Sequence, residues 1–407
     1  MKRLVLLLVL ISTHVYGQQS SKEMAKEFNA LVNVEDQERF YNELLSKYPA
    51  DPAKPAQYAE YRAQLAIDWL KKGNIDRYHF YKNTNPKFTA IQLFELSNLL
   101  ESWVDDDQHI EWVQQISKQV LGEIALKRHD DTFDRNGVLL EVNAVANAKL
   151  GNLAIAMENI KKSDKNATFR KFPYFRNSNA NYLNRLGLIL LAAGRHQQAF
   201  DTLSKAVRTA ASTPKTVVSL KAAYQKVKGS KSGMDKYISS LQEEAYQKVA
   251  KEVAKAWIAD TKPVPDVTLT DMNGKAVKLA DYKGKIVVID FWSTACKPCV
   301  AAFPAFERAI NLYGKEPFQL FVINEGESPD IVKPYMEKKG YKLDVLFDQD
   351  ETMFKALGAL GTPQKFIINA KGDINQTGIG YAGSDDKEFY KLKAMVELAK
   401  VKLTNSK

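Results

Sequence analysis

The chain has 407 residues, 45% of them hydrophobic and 26% charged, which suits two or three soluble domains and excludes collagen-like, disordered and multi-spanning membrane classes. Its two cysteines are too few for a disulfide-stapled scaffold or the usual structural zinc set. The net charge is +10, of which residues 257–407, with 21 basic and 20 acidic side chains, carry only +1. The upstream excess is interspersed with acids and forms no dense Lys/Arg run. It reads as a solvated face, and no nucleic-acid partner is expected.

Lys2 and Arg3 precede an apolar run from Leu4 to Ile11, then Ser12, Thr13 and Val15-Tyr16-Gly17. This order of basic, apolar and small residues is that of a secretory signal over residues 1–17. The run falls short of the roughly 20 residues of a spanning helix, and no lipid-anchoring cysteine follows it. The mature protein is expected to be exported, to a bacterial periplasm or otherwise, with no stable membrane insertion after cleavage. In an oxidising compartment a cysteine pair cycles only if a partner reduces it.

Residues 21–257 are rich in Ala, Leu, Lys, Glu and Gln, with apolar spacings of three and four, the pattern of amphipathic helices. Leu183, Leu186, Gly187, Leu190, Gly194, Ala199, Leu203 and Ala206 fall at the spacing of a tetratricopeptide helix pair. Small residues there let two helices approach while leucines fill the seam. Weaker copies surround Lys149-Leu150-Gly151-Asn152 and Trp69-Leu70-Lys71-Lys72-Gly73-Asn74, where Tyr78 replaces the small residue. The whole resembles a degenerate tetratricopeptide-like array with insertions. Phe172, Tyr174, Phe175 and Tyr182 either line a binding surface or plug gaps between helices. His79, His109, His129 and His196 are scattered, and read as surface or packing residues.

Periodicity changes from helical to strand-like across residues 259–266, which carry Pro263 and Pro265; residues 258–262 are read as the linker and residues 263–407 as a second domain. Strands are expected at Val267–Thr270, Ile286–Phe291, Phe318–Ile323 and Gln364–Ile368. Helices are expected at Val300–Tyr313, Pro329–Lys339 and Asp385–Lys400. This alternation builds a mixed sheet flanked by helices. At one strand-to-helix junction stands Cys296-Lys297-Pro298-Cys299. Two cysteines so spaced can close a small disulfide. Cys296 at the helix N-terminus meets unpaired amides and the macrodipole, which favour its thiolate. Cys296 is therefore the expected nucleophile and Cys299 the buried resolving thiol. Lys297 adds positive charge beside the pair, which favours the thiolate and a more oxidising potential, and Pro298 starts the helix without losing a needed donor.

Four ordered elements then carry a resemblance. They are Pro265-Asp266 with Asn273-Gly274-Lys275, Phe291-Trp292 before the cysteines, Gly326-Glu327-Ser328, and Gly361-Thr362-Pro363 before Phe366-Ile367-Ile368-Asn369. Together they resemble the thioredoxin-fold domain of the TlpA/ResA type, the exported thiol-disulfide oxidoreductases of bacteria, over about a third of the chain. The fold class is thus multidomain, an all-α tetratricopeptide-like array followed by an α/β thioredoxin-fold domain. The resemblance implies that Asp290 is a buried carboxylate accepting the Cys299 proton. It also implies that Glu327 tunes or relays protons near the pair, and that Pro363 is cis. With Thr362, that proline would offer backbone groups to an extended substrate segment. Two positions depart from the pattern. Ala295 stands where Trp usually precedes the first cysteine, leaving Trp292 as the aromatic of the substrate surface, and Ala302 replaces a frequent glutamate.

The leading expectation is a reductase of protein disulfides whose helical domain positions partners and whose electron donor or acceptor is unidentified. Ser293-Thr294-Ala295-Cys296 also fits part of a peroxidase signature, but Ile289 stands where that signature has proline. A docking protein with a redox-sensing appendage is the third possibility. Val300 follows Cys299 where haem attachment needs histidine, no Walker-type loop occurs, and residues 257–407 contain no histidine. No cofactor and no metal are expected.

Overall fold

The computed structural model describes residues 21–54, 56–165, 178–257 and 262–404. The signal region 1–17, Phe172, Tyr174, Phe175 and residues 258–261 lie outside the described residues.

Among these residues twelve helices precede the first strand: α1 (Ser21–Ala30), α2 (Val34–Lys47), α3 (Ala59–Lys71), α4 (Ile75–Lys82), α5 (Ala90–Asp105), α6 (Ile110–Ala125), α7 (Arg135–Lys149), α8 (Leu153–Lys165), α9 (Ser178–Ala192), α10 (His196–Arg208), α11 (Pro214–Lys228) and α12 (Met234–Ala256). The glycines read as turn signals, Gly73, Gly151 and Gly194, join α3 to α4, α7 to α8 and α9 to α10, each at positive φ. Helix ends follow local chemistry. In α11 the Thr213 hydroxyl accepts the Thr216 N–H and the Thr216 hydroxyl accepts the Thr213 N–H, with Pro214 in the first turn. This box satisfies amides that have no partner within the helix.

The chain divides into two compact units, one of residues up to Leu99 with Gly122–Thr132, the other of Leu100–Leu121 and Phe133 onward. The second unit thus holds both the later helices and the sheet. In the first unit Lys82 and His129 both reach the Glu123 carboxylate at 2.7 Å, and all three are buried. His129 also stacks on Phe88, so it is a packing histidine.

In the second unit α9 and α10 pack closely because Gly187 faces Leu203. An added Cβ would lie 2.6 Å from Leu203 Cγ and Cδ2. Gly187→Val is expected to overpack this seam and cost about 1–3 kcal/mol. A thermal melt followed by helical circular dichroism checks it, and an unchanged midpoint would refute the close approach.

The sheet comprises β1 (Lys262–Pro263), β2 (Thr268–Asp271), β3 (Ala276–Lys278), β4 (Ile286–Trp292), β5 (Phe318–Glu325), β6 (Asp344–Asp348), β7 (Gln364–Ile368) and β8 (Asp373–Ile379), in the order β1-β8-β7-β4-β5-β6-β2-β3. The β4–β5 and β5–β6 pairs are parallel and the others antiparallel. Every residue of β4 is buried, which explains its continuous apolar run. Helices α13 (Lys297–Tyr313), α14 (Pro329–Lys339), α15 (Thr352–Ala356) and α16 (Asp385–Thr404) complete the domain. Side chains of α13, α14 and α16 meet Ile286, Val288 and Trp292 in one core. Val287, Ile289 and Phe291 meet Leu269, Leu279 and Met353 in the other.

The later helices dock on α16. Ala210, Ala245, Val249 and Tyr390 share a small core. Asp386 accepts from Arg308 of α13 at 2.7 Å and from the Ser212 hydroxyl, while its N–H donates to the Ser212 carbonyl at 3.2 Å. No helix among the described residues is long and apolar enough to cross a membrane.

Candidate active site

Strand β4 ends at Trp292 and three residues, Ser293 to Ala295, carry the chain to Cys296, the N-cap of α13. The Cys296 N–H donates to the Ser293 carbonyl, and the Cys296 carbonyl accepts from Cys299 and Val300. Pro298 sits in the first turn, where its missing N–H is not required. Cys296 and Cys299 form a disulfide with their Cα atoms 5.3 Å apart. The two sulfurs differ in access, Cys296 being half-buried and Cys299 fully buried with its sulfur 3.9 Å from the Phe291 carbonyl oxygen. Lys297 and Ala295 are exposed.

Glu327 belongs to this loop. Its carboxylate accepts the Thr294 N–H at 2.8 Å, the Thr294 hydroxyl and the Asn324 amide at 2.7 Å. It ties the end of β5 to the segment that delivers Cys296. Thr294 and Asn324 are partners that sequence reasoning missed, and no spacing announces them.

The peptide bond between Thr362 and Pro363 is cis. It lies just before β7, whose Gln364 pairs with Phe291 of β4, so the proline loop stands at the same sheet end as the cysteines. The Gln364 side-chain oxygen accepts the Leu360 N–H at 2.8 Å and closes this loop. Thr362 is half-buried and Pro363 buried.

Trp292 is not at the rim expected for it. It is fully buried, packed on Phe303 at 5.1 Å and Tyr335 at 6.1 Å between ring centroids. The cause is β4 itself, a central strand covered on both faces, so an aromatic at its last position enters the core under α13. Trp292 cannot touch a substrate without local opening. Ala302 is also fully buried.

Asp290 lies in β4 on the face that also bears Val288 and Trp292, since side chains two apart share a face. Its register partner in β7 is Lys365. The Lys365 ammonium is 3.3 Å from Asp290 Oδ1 and 2.7 Å from Glu388 Oε1 of α16, and all three residues are at most 1% exposed. The Asp290 carboxyl is pushed up to about 6, chiefly by burial, with Lys365 opposing the rise and Glu388 adding to it. Burial disfavours the Lys365 charge, but the two carboxylates outweigh it and hold the ammonium above its ordinary value. Lys365 and Glu388 were not singled out from sequence. A lysine directly before the apolar run Phe366-Ile367-Ile368, inside an expected strand, was the available signal.

A mixed sheet carrying a disulfide-bonded cysteine pair at a helix N-terminus, with a cis-proline loop at the same sheet end, defines a thioredoxin-fold redox domain. Residues 261–377 match the AhpC/TSA family. Thiol-disulfide oxidoreductase ResA of Geobacillus kaustophilus (strain HTA426) is 30% identical over 134 residues, covering 33% of this chain and 77% of that protein. ResA of Bacillus subtilis (strain 168) is 32% identical over 117 residues, 29% of this chain and 65% of the relative. Among solved structures, a thioredoxin-family thiol:disulfide interchange protein from Chlorobium tepidum TLS has a TM-score of 0.29 and 26% identity, covering 35% of this chain and 98% of its own. Through its C-terminal third, the chain belongs to the ResA family of thiol-disulfide oxidoreductases.

Proposed function

We propose that this protein is an exported enzyme that reduces disulfides of specific protein partners, with the tetratricopeptide-like helices docking those partners. The observation that carries the reading is the asymmetry of the pair, an accessible Cys296 at a helix cap and a sealed Cys299 behind it. The signal-like start of the chain supports export.

In the reduced enzyme the Cys296 thiolate, favoured by the helix terminus and by Lys297, attacks one sulfur of a substrate disulfide. The substrate's other sulfur leaves as a thiolate, and a mixed disulfide remains. Asp290 takes the proton of the Cys299 thiol, and the Cys299 thiolate then attacks Cys296. The bond from Cys296 to substrate breaks, the second substrate thiolate departs, and the pair is left oxidised while the substrate has gained two electrons. A dithiol donor, soluble or membrane-bound, restores the reduced pair. Thr362 and Pro363 hold an extended substrate segment by backbone contacts, and Glu327 fixes the loop from which Cys296 strikes.

The reduction potential of the pair, measured by equilibration with dithiothreitol or glutathione, tests the direction. A value near the thioredoxin range of roughly −270 mV is expected for a reductase, whereas one near roughly −120 mV would make the protein an oxidant and overturn the proposal. Peroxide consumption by the reduced protein should stay slow. Rapid consumption at Cys296 would favour a peroxidase instead, although Ile289, where that signature has proline, is buried within β4.

A further inference from the structure

In the core of the sheet domain two buried carboxylates share one buried ammonium. Asp290 comes from β4, Lys365 from β7 and Glu388 from α16. Around them stand the Phe306 ring, 5.2 Å from the Lys365 ammonium, and Val322, the β5 register neighbour of Asp290. Asp290 also feels the charge of Lys391 of α16. Burial lowers the tendency of Lys391 to stay charged, and Lys365 adds to that effect.

The sharing is uneven. Lys365 sits at 2.7 Å from Glu388 and at 3.3 Å from Asp290. Glu388 is itself fixed, because its other oxygen accepts the Ala382 N–H at 2.7 Å. We propose that Lys365 and Glu388 are positioning residues that set the protonation of Asp290, with Glu388 drawing the ammonium to itself and so leaving Asp290 as the acid that can take up a proton. The inference rests on the reading of Asp290 as the acceptor of the Cys299 proton, and it assigns the two residues that make such an acceptor workable. An Asp290 held alone by Lys365 would stay ionised and accept a proton poorly. Without the lysine, two acids in low dielectric would keep Asp290 protonated, with no capacity to accept another proton.

The two neighbours therefore push in opposite senses, which separates this role from simple packing. The test uses full-length protein in the disulfide form, where the cysteines do not titrate. The Asp290 carboxyl is followed by carbon-13 NMR of labelled aspartate and assigned with Asp290→Asn. Glu388→Gln is expected to lower its titration midpoint by about one to three units, and Lys365→Met to raise it by a similar amount. A common displacement in both variants, or none in Glu388→Gln, overturns the inference. Should Lys365→Met fail to fold, Glu388→Gln alone decides. The resolving step, followed by stopped flow on the reduced enzymes, tests the underlying reading separately. Opposite midpoint shifts with the pH profile of resolution moving alongside them support both. Opposite midpoint shifts with an unmoved profile support the ion-triad inference and refute Asp290 as the proton acceptor.

Discussion

Cys299→Ser is expected to turn the enzyme into a trap. Cys296 keeps its place at the cap of α13, with its backbone bonded to Ser293, Cys299 and Val300, so attack on a substrate disulfide proceeds. No second thiol remains in the chain, since 296 and 299 are its only cysteines, and the mixed disulfide cannot be resolved internally. On a non-reducing gel the variant should carry covalent adducts that dithiothreitol removes, while turnover of a model protein disulfide falls to the uncatalysed rate. Cys296→Ser should lose the same turnover and form no adducts, because Cys299 is sealed beneath its neighbours. Adducts on Cys299 of that variant, at the level seen for Cys296, would reverse the assignment of nucleophile and resolving thiol. Turnover surviving both substitutions would remove thiol chemistry altogether.

The parts of this site legible in the sequence are those fixed by local chemistry. A β-branched run followed by two cysteines and a proline places a strand end, a loop and a helix cap, and β4 and α13 stand where that pattern put them. Helix α14 and strand β7 begin and end at the expected residues. What stayed hidden depends on register between distant segments. Asp290 and Lys365 meet only because β4 and β7 pair antiparallel with these two residues opposed, and Glu388 reaches them only because α16 folds back over the sheet. Strands β6 and β8 were passed over for a related reason. Asp344 and Asp373 at their starts, and Asn375 and Gln376 within β8, dilute the apolar signal that marks a central strand. Trp292 misled for the opposite reason. A strand buried on both faces shows no alternation, so nothing in Ile286–Trp292 tells which side chains reach solvent, and none does.

In the helical part of the second unit, Arg185→Met is expected to cost about 3–5 kcal/mol at neutral pH, the usual penalty for leaving buried charge without its partner. Arg185 of α9 is 1% exposed, and its guanidinium reaches Glu101 at 2.9 Å, Asp105 at 2.7 Å and Glu141 at 3.0 Å. It thereby pins α5 and α7 to α9, and methionine would replace its length but not its charge. The pH dependence follows from Glu101. Burial alone would raise its carboxyl, but Arg185, helped by Arg135, outweighs burial and holds it below the ordinary glutamate value. A depressed folded value contributes stability above the unfolded value of about 4.3 and loses it as pH falls through the folded one. In Arg185→Met the abandoned carboxylates take up protons at higher pH than in the parent, which relieves their repulsion. The deficit should therefore be largest near pH 7 and narrow as pH falls toward about 4.5. Urea unfolding followed by helical circular dichroism at both values checks this, and a deficit that widens at low pH would refute the pinning role. Because Arg185 makes none of these contacts with α13, the reduction potential of the folded variant should match that of the parent, separating what holds the helices together from what moves electrons.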